Sequence, residues 1–431
     1  MATAGSPAIT STSSPFARRT RRQIGLRLLP LLFLLYIVNY LDRTSLAYAA
    51  IGMSRDLGFS DSVFGLGVGV FFVSYVSLQI PGAMLVERWS ARRMISVTLI
   101  AWGSLTALTA LVHTPGQLYL ARFVLGAAEA GFFPGVVVYL SHWYLREDRA
   151  KATSNFMAAI PLSFVIGSPV AGFLLGFHWF GMAGWRALFV LEGLPAIVLG
   201  VVAFFYLTDW PREAKWLTPE QQHWVGQTLR EEEPADAETT TIWQALRSRA
   251  VLMLAGVVFF AYFTFYSFVF YFPSMLKQLS GFSDMQVGGL GALPYVALFV
   301  AMQVNGWHSD RSGERRWHSV IPLLIAVAGV LGLLLQPHSV ALSLGLFSMV
   351  AVGSCYLPVF WTIPSEILSP SSAAVAVGLI NAVGSISGFA GPYLFGYLRT
   401  RTGSYSTGLA MLAISALAGS VLMWCTPRRV Q

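Results

Sequence analysis

The sequence predicts an all-α integral membrane protein, with twelve transmembrane helices in two six-helix halves. Three observations carry that expectation. Apolar residues make up 55% of the chain and charged residues 11%, against roughly 25% charged in an average soluble domain. Apolar runs of about 20 residues, each able to cross a ~30 Å hydrocarbon layer, follow one another almost to the C-terminus. A polar motif also recurs at the matching place in each half.

The first span, residues 26 to 50, follows Arg18, Arg19, Arg21, Arg22 and Arg27 and holds Asn39, Asp42 and Arg43 within it. It is too long and too polar for a cleaved signal peptide, so it reads as an uncleaved helix behind a disordered cytoplasmic tail over residues 1 to 25. Spans at 62 to 86, 94 to 113, 117 to 144, 152 to 176 and 185 to 207 complete an N-terminal half over residues 26 to 208. Spans at 250 to 274, 286 to 308, 319 to 336, 339 to 363, 373 to 398 and 405 to 425 form a C-terminal half over residues 250 to 425. Breaks are expected near Pro273, Pro294 and Pro358. Between the halves, residues 209 to 249 read as a cytoplasmic linker, and residues 426 to 431 close the chain as a cytoplasmic tail. Within the linker Thr218, Pro219 and Gln221 have the N-cap, first-turn and capping-box places of a short surface helix, followed by the flexible acidic run EEEPADAETTT.

A net charge of +8 could suggest nucleic acid, but the bases are sorted by side of the membrane. Arg88, Arg92 and Arg93 separate the second and third spans, Arg146, Arg149 and Lys151 the fourth and fifth, and Arg311, Arg315 and Arg316 the eighth and ninth. The alternate loops carry little beyond Arg55, Lys277, Arg399 and Arg401. By the positive-inside rule both termini are cytoplasmic, and the bilayer rather than nucleic acid is the expected partner. Cys355 and Cys425 fall inside spans and read as packing residues, and the histidines show no ligand spacing, so neither a metal nor another cofactor is expected.

The stretch GAMLVERWSARR, residues 82 to 93, matches NGWHSDRSGERR, residues 305 to 316. Glu87 and Arg88 align with Asp310 and Arg311, and Arg92 and Arg93 with Arg315 and Arg316, at one constant offset. Such a repeat is the trace of a duplication of the kind found in transporters with parallel halves. An acid at one helix end facing arginines beyond it can latch helix ends and release them as the halves rock, so these eight residues are candidate cytoplasmic gate residues.

Asp42 and Arg43 pose the chemical question, since each costs ~2.5 to 3.5 kcal/mol at mid-membrane if left unpaired. Neighbours on a helix do not face each other, so each needs a partner elsewhere. Arg43 shares a face with Asn39 and Tyr36, while Asp42 points about 100° away. In the fourth span Arg122, Gly126 and Glu129 form one stripe, with Arg122 roughly 8 Å and Glu129 roughly 18 Å from the outer surface and Asp42 at about 12 Å. Asp42 can therefore meet either of them if the first and fourth helices touch, an approach that Gly126, Ala127, Ala130 and Gly131 would allow. The two readings of these groups are a switchable ion-pair network and a static pairing that holds the two helices together.

The repeated loops resemble the signature loop of the major facilitator superfamily, and the chain as a whole resembles its anion:cation symporter family. VNYLDRTSL, MLVERWSARRM, ARFVLGAAEAGFFPGVVVYLSHWY, WRALFVLEGLPAIVLG, GWHSDRSGERRWH and GLINAVGSISGFAGPYLFGYL carry that resemblance, which extends over most of residues 30 to 410. The tartrate, phthalate and hydroxyphenylacetate permeases are the members it most resembles. The resemblance implies a multi-pass carrier of the bacterial inner membrane that imports a small organic carboxylate with protons. It implies that Arg43 binds the carboxylate, that Asp42 and Glu129 carry protons, and that Arg122 is an ion-pair partner.

Other candidates for the substrate cavity are Asn39, Tyr75 and Gln79 in the N-terminal half and Asn381 in GLIN. Tyr262 and Tyr266, one turn apart in FFAYFTFYSFVFYFP, could stack on a flat ligand and so favour aromatic carboxylates. An exchanger or uniporter of organic anions without proton coupling is the alternative. No Ser/His/Asp, HExxH or Cys/His arrangement suggests an enzyme, and a monomer is expected.

Overall fold

The computed structural model describes residues 14–176, 181–232, 247–364 and 370–426. The tail up to residue 13, the acidic run at 233–246, Glu366, His178 and the tail from 427 lie outside the described residues. Helices α1 (Pro15–Leu57), α2 (Asp61–Arg88), α3 (Ala91–Thr109), α4 (Pro115–Glu129), α5 (Phe132–Ser141), α6 (Arg146–Met157), α7 (Ala159–Leu175) and α8 (Gly184–Tyr206) build the N-terminal half. After α9 (Pro219–Glu231) come α10 (Arg249–Ser280), α11 (Asp284–Ser312), α12 (Trp317–Leu334), α13 (Val340–Val352), α14 (Leu357–Phe360), α15 (Pro370–Thr402) and α16 (Ser406–Cys425). Among the described residues there is no strand.

Among the described residues, eleven stretches are long and apolar enough to cross a membrane. The twelfth crossing is α3, whose 19 residues include Arg92, Arg93, Ser96, Thr98, Ser104 and Thr106, which dilute its hydropathy. The expected fourth, fifth and tenth spans are each divided rather than continuous. Each division falls within the turn before a proline: at Ala130 and Gly131 before Pro134, at Ala158 before Pro161, and at the 3-10 turn Gly353–Tyr356 before Pro358. A prolyl nitrogen gives no hydrogen to the carbonyl four residues back, and its ring crowds that turn. Pro273 and Pro294, by contrast, lie inside α10 and α11, which continue through them. Packed neighbouring helices make such interruptions tolerable in membrane segments.

Helix α1 corrects the expected disordered stretch, because residues 15 to 25 are helical. Ser14 accepts a hydrogen bond from the Ala17 nitrogen and Pro15 opens the first turn, while Ala17, Thr20, Ile24 and Leu28 are buried. The arginines between them hide this apolar stripe from a composition-based reading. The capping box of α9 forms as expected, with the Gln221 nitrogen donating to Thr218 Oγ1 at 3.2 Å and the Thr218 nitrogen to Gln221 Oε1 at 3.0 Å. Gln221 also donates to Thr20 Oγ1 at 3.2 Å, which docks the linker helix on the first turns of α1.

The halves meet along three helix pairs: α2 with α15, α7 with α11, and α1 with α10. The approach is close enough that a Cβ on Gly172 would lie 2.6 Å from Gly288 Cα, and one on Gly65 2.5 Å from the Pro392 carbonyl oxygen. Glycine is required there to let backbone meet backbone. Polar contacts join the same region. Tyr271 Oη donates to the carbonyls of Asp61 at 2.9 Å and Pro392 at 3.1 Å, the Ser62 nitrogen donates to Thr400 Oγ1 at 3.0 Å, and Arg399 Nε lies 3.8 Å from Asp61 Oδ2. These contacts sit where α2 begins and α15 ends, on the face opposite the chain termini. On that face the two halves are closed against each other.

Candidate functional site

Asp42 and Arg43 are consecutive in α1 yet serve different partners, because side chains one residue apart leave a helix about 100° apart. Arg43 Nη2 lies 3.3 Å from Oε2 of Glu129, the last residue of α4. Asn39, one turn earlier on the Arg43 face, donates to the same oxygen from Nδ2 at 3.1 Å. On the other face Asp42 Oδ1 accepts a hydrogen bond from Thr106 Oγ1 of α3 at 2.6 Å, and Oδ2 stands 3.9 Å from Arg122 Nη1. Two crossed ion pairs thus tie α1 to α4, and none of these four charged groups is more than 7% exposed.

The arginines are also held by rings. Arg43 lies 4.8 Å from the Tyr40 ring centroid, 5.2 Å from Tyr75 and 5.6 Å from Phe71, and Arg122 lies 4.8 Å from Phe71. Such cation–π contacts position a guanidinium without consuming its hydrogen-bond donors. Arg43 Nε, Arg122 Nε and Nη2, and Glu129 Oε1 have no hydrogen-bond partner among the described residues. The network therefore holds unspent hydrogen-bonding capacity at its centre. The expected close packing of α4 on α1 is corrected: a Cβ on Gly126 would lie 2.3 Å from the Phe71 carbonyl oxygen of α2. Arg122 and Glu129 fill the space between α4 and α1, so those two helices meet through long side chains while the small residue faces α2.

Tyr266 of α10 faces the N-terminal half, while Tyr262, one turn earlier, lies against Gly384 of α15. Their rings pack edge-on at 5.6 Å, and Tyr266 lies 4.8 Å from Phe72 of α2. Tyr75 is buried beside Arg43. Gln79 and Asn381 are half-buried, and no described hydrogen bond ties their side chains to this network.

The described contacts of the first loop run to Asp209, at the start of the linker, and those of the second to residues of the C-terminal half. The Arg92 nitrogen donates to Asp209 Oδ1 at 2.9 Å, its Nε lies 3.9 Å from Oδ2, and Ser90 donates to the same carboxylate at 2.7 Å. The Arg93 nitrogen donates to Ser90 Oγ at 3.1 Å. In the C-terminal loop Arg315 Nη1 reaches Asp310 Oδ1 at 2.6 Å and Ser309 Oγ at 3.0 Å. Arg311 lies 5.6 Å from the Trp307 ring centroid and Arg316 4.5 Å from that of Trp424. Burial would raise the Glu314 carboxyl, but the Trp317 N–H and the His318 ring and N–H outweigh it and hold that carboxyl below its usual range. The side chains of Glu87 and Arg88 lie outside the described ones.

The sequence profile of the Major Facilitator Superfamily matches residues 32–392. The chain belongs to this superfamily. It is a multi-pass membrane transporter and not an enzyme. A protein of Agrobacterium vitis, provisionally named a tartrate transporter, is 40% identical over 420 residues, covering 96% of this chain and 93% of that protein. A quinolone resistance transporter of Acinetobacter baumannii is 34% identical over 415 residues, covering 95% of each. The fold is shared with a bacterial homolog of the human lysosomal transporter Spinster in an inward-facing, unoccupied conformation. That match has a TM-score of 0.76 at 20% identity and covers 96% of this chain and 97% of that one.

Within this major facilitator chain, sequence reasoning missed Thr106, Asp209, Phe71 and Glu192. A hydroxyl such as Thr106 among many in apolar helices gives no signal of its own. Glu192 did give one, since an intramembrane acid is a functional candidate by default.

Proposed function

We propose that this transporter imports a small organic carboxylate together with protons by alternating access. It acts as a monomer in a bacterial inner membrane with both termini cytoplasmic. The observation that carries the reading is the ion pair of Arg43 with Glu129, shared by Asn39. A substrate carboxylate and Glu129 compete for one guanidinium, so protonating Glu129 releases Arg43 to the anion, and ionising it pulls Arg43 back. Asp42, held by Arg122 and Thr106, is a second acid whose protonation frees a second base. A relative named for tartrate and another named for metabolite transport support the anion class. In this orientation the closed face is the periplasmic one, and the arginine-bearing loops are the cytoplasmic gate.

Uptake into proteoliposomes tests the reading. Labelled tartrate and benzoate are expected to accumulate when the outside is acid and to stop accumulating when the pH gradient is collapsed. Equal uptake with and without the gradient, requiring an anion inside, would instead show an exchanger. Two protons per monoanion would carry one net charge inward and gain ~2.3 kcal/mol per 100 mV, whereas one proton would leave transport electroneutral.

The same assay addresses the tyrosines. With Tyr266 against Phe72 and Tyr262 edge-on to Tyr266, flat aromatic carboxylates are expected to compete better than sugar acids. Tartrate or galactonate outcompeting every aromatic acid would reject that preference.

A further inference from the structure

Glu192, in the middle of α8, is 8% exposed, and its Oε2 is buried with no hydrogen-bond partner. Among the described residues no arginine or lysine lies within ion-pair distance of it. It sits where α8 runs against α3 so tightly that a Cβ on Gly193 would lie 2.3 Å from the Gly103 carbonyl oxygen. Thr106, three residues beyond Gly103, is the donor to Asp42. Helix α8 also packs on α1 and α7. Across the seam with α3 from Glu192, the charge that Thr106 holds is Asp42, of the same sign. From α1 the neighbouring charges are Asp42 and the Arg43 already engaged with Glu129. α7 has no ionisable residue, and the arginines of α3 stand at its far end, where Arg92 meets Asp209. Arg186, on α8 itself, donates to the Ala110 carbonyl near the opposite face.

The buried network thus holds three acids, Asp42, Glu129 and Glu192, against two bases, Arg43 and Arg122. Asp42 has Arg122 as its counter-ion and Glu192 has none among the described residues, so the two carboxylates cannot both stay ionised in a site of low polarity. We propose that Glu192 and Asp42 share a single proton, which rests on Glu192 while Arg122 faces Asp42. When Arg122 withdraws, that proton passes from the Glu192 carboxyl to the Asp42 carboxylate. Glu192, then ionised and without a cation, takes the next proton from the aqueous side. Charge balances at each stage: one proton moves between the acids and one enters from water. The transport role rests on the proton-coupled reading above, whereas the shared proton does not.

Infrared titration of the purified full chain in lipid nanodiscs tests it. The parent is expected to show the carbonyl stretch of a protonated buried carboxyl near neutral pH, and Glu192→Gln to lack it. Asp42→Asn removes the like charge, so the band should be lost at a pH lower by about one unit or more. A band that survives in Glu192→Gln, or one that titrates at the parent's pH in Asp42→Asn, would overturn the proposal. Should Glu192→Gln not fold, glutamate labelled with carbon-13 in a Glu129→Gln background must still move the band, and an unmoved band refutes the assignment. Failure of the parent to respond to a pH gradient in vesicles would sink proton coupling alone and leave this titration standing.

Discussion

Glu129→Gln is expected to exchange labelled for unlabelled anion across the membrane while losing accumulation against a gradient. The amide keeps the shape of the acid and can still accept from Asn39, but it carries no charge to draw Arg43 off a bound carboxylate. Arg43 then stands permanently available, so the anion should bind more tightly and with little dependence on pH. Exchange needs the anion site and the rocking of the halves, not net proton release. Asp42→Asn should also lose accumulation, for a different reason. It leaves Arg122, 1% exposed, without its carboxylate, and breaking a buried pair in this way costs about 3–5 kcal/mol. Counterflow and pH-driven uptake measured on the same vesicles separate the two outcomes. Both variants concentrating substrate as the parent does, with the same pH dependence, would show that the acids are structural.

Arg43→Lys is expected to abolish or severely weaken binding in a protein that remains folded and inserted. A guanidinium can offer a carboxylate two parallel hydrogen bonds, and its flat face rests against Tyr40 and Tyr75. Lysine keeps the charge but loses the fork and the ring contacts. Losing one charge-assisted hydrogen bond of about 1.5–3 kcal/mol corresponds to an affinity loss on the order of 10- to 100-fold. Isothermal titration on the purified variant decides the matter, since unchanged affinity would remove Arg43 from the site.

The membrane architecture was legible because it depends on long averages. Twelve apolar runs and one repeated loop survive any local exception, and even α3, with its arginines and hydroxyls, keeps the length of a crossing. Asp42, Arg43, Arg122 and Glu129 were legible for a related reason: a charge inside an apolar run is expensive, so the sequence announces it. Their pairing was not legible. Helical spacing placed Asp42 at a depth between Arg122 and Glu129, but which helix faces which is a property of packing. Gly126, read as a contact with α1, touches α2 instead. Nor could periodicity show that the turns of α1 before residue 26 continue as a buried helix, since four arginines interrupt an apolar stripe that appears only once α9 lies beside it.

The seam at Gly172 and Gly288 has a mechanical consequence. Backbone touching backbone is held largely by dispersion, which decays steeply as surfaces separate. A slightly parted seam has forfeited much of its attraction and is still too narrow to admit lipid or substrate. It therefore behaves like a magnetic catch and not like a spring, favouring shut or open over anything between. A membrane transporter benefits from that all-or-none behaviour, because a half-open passage would let small solutes leak across the bilayer.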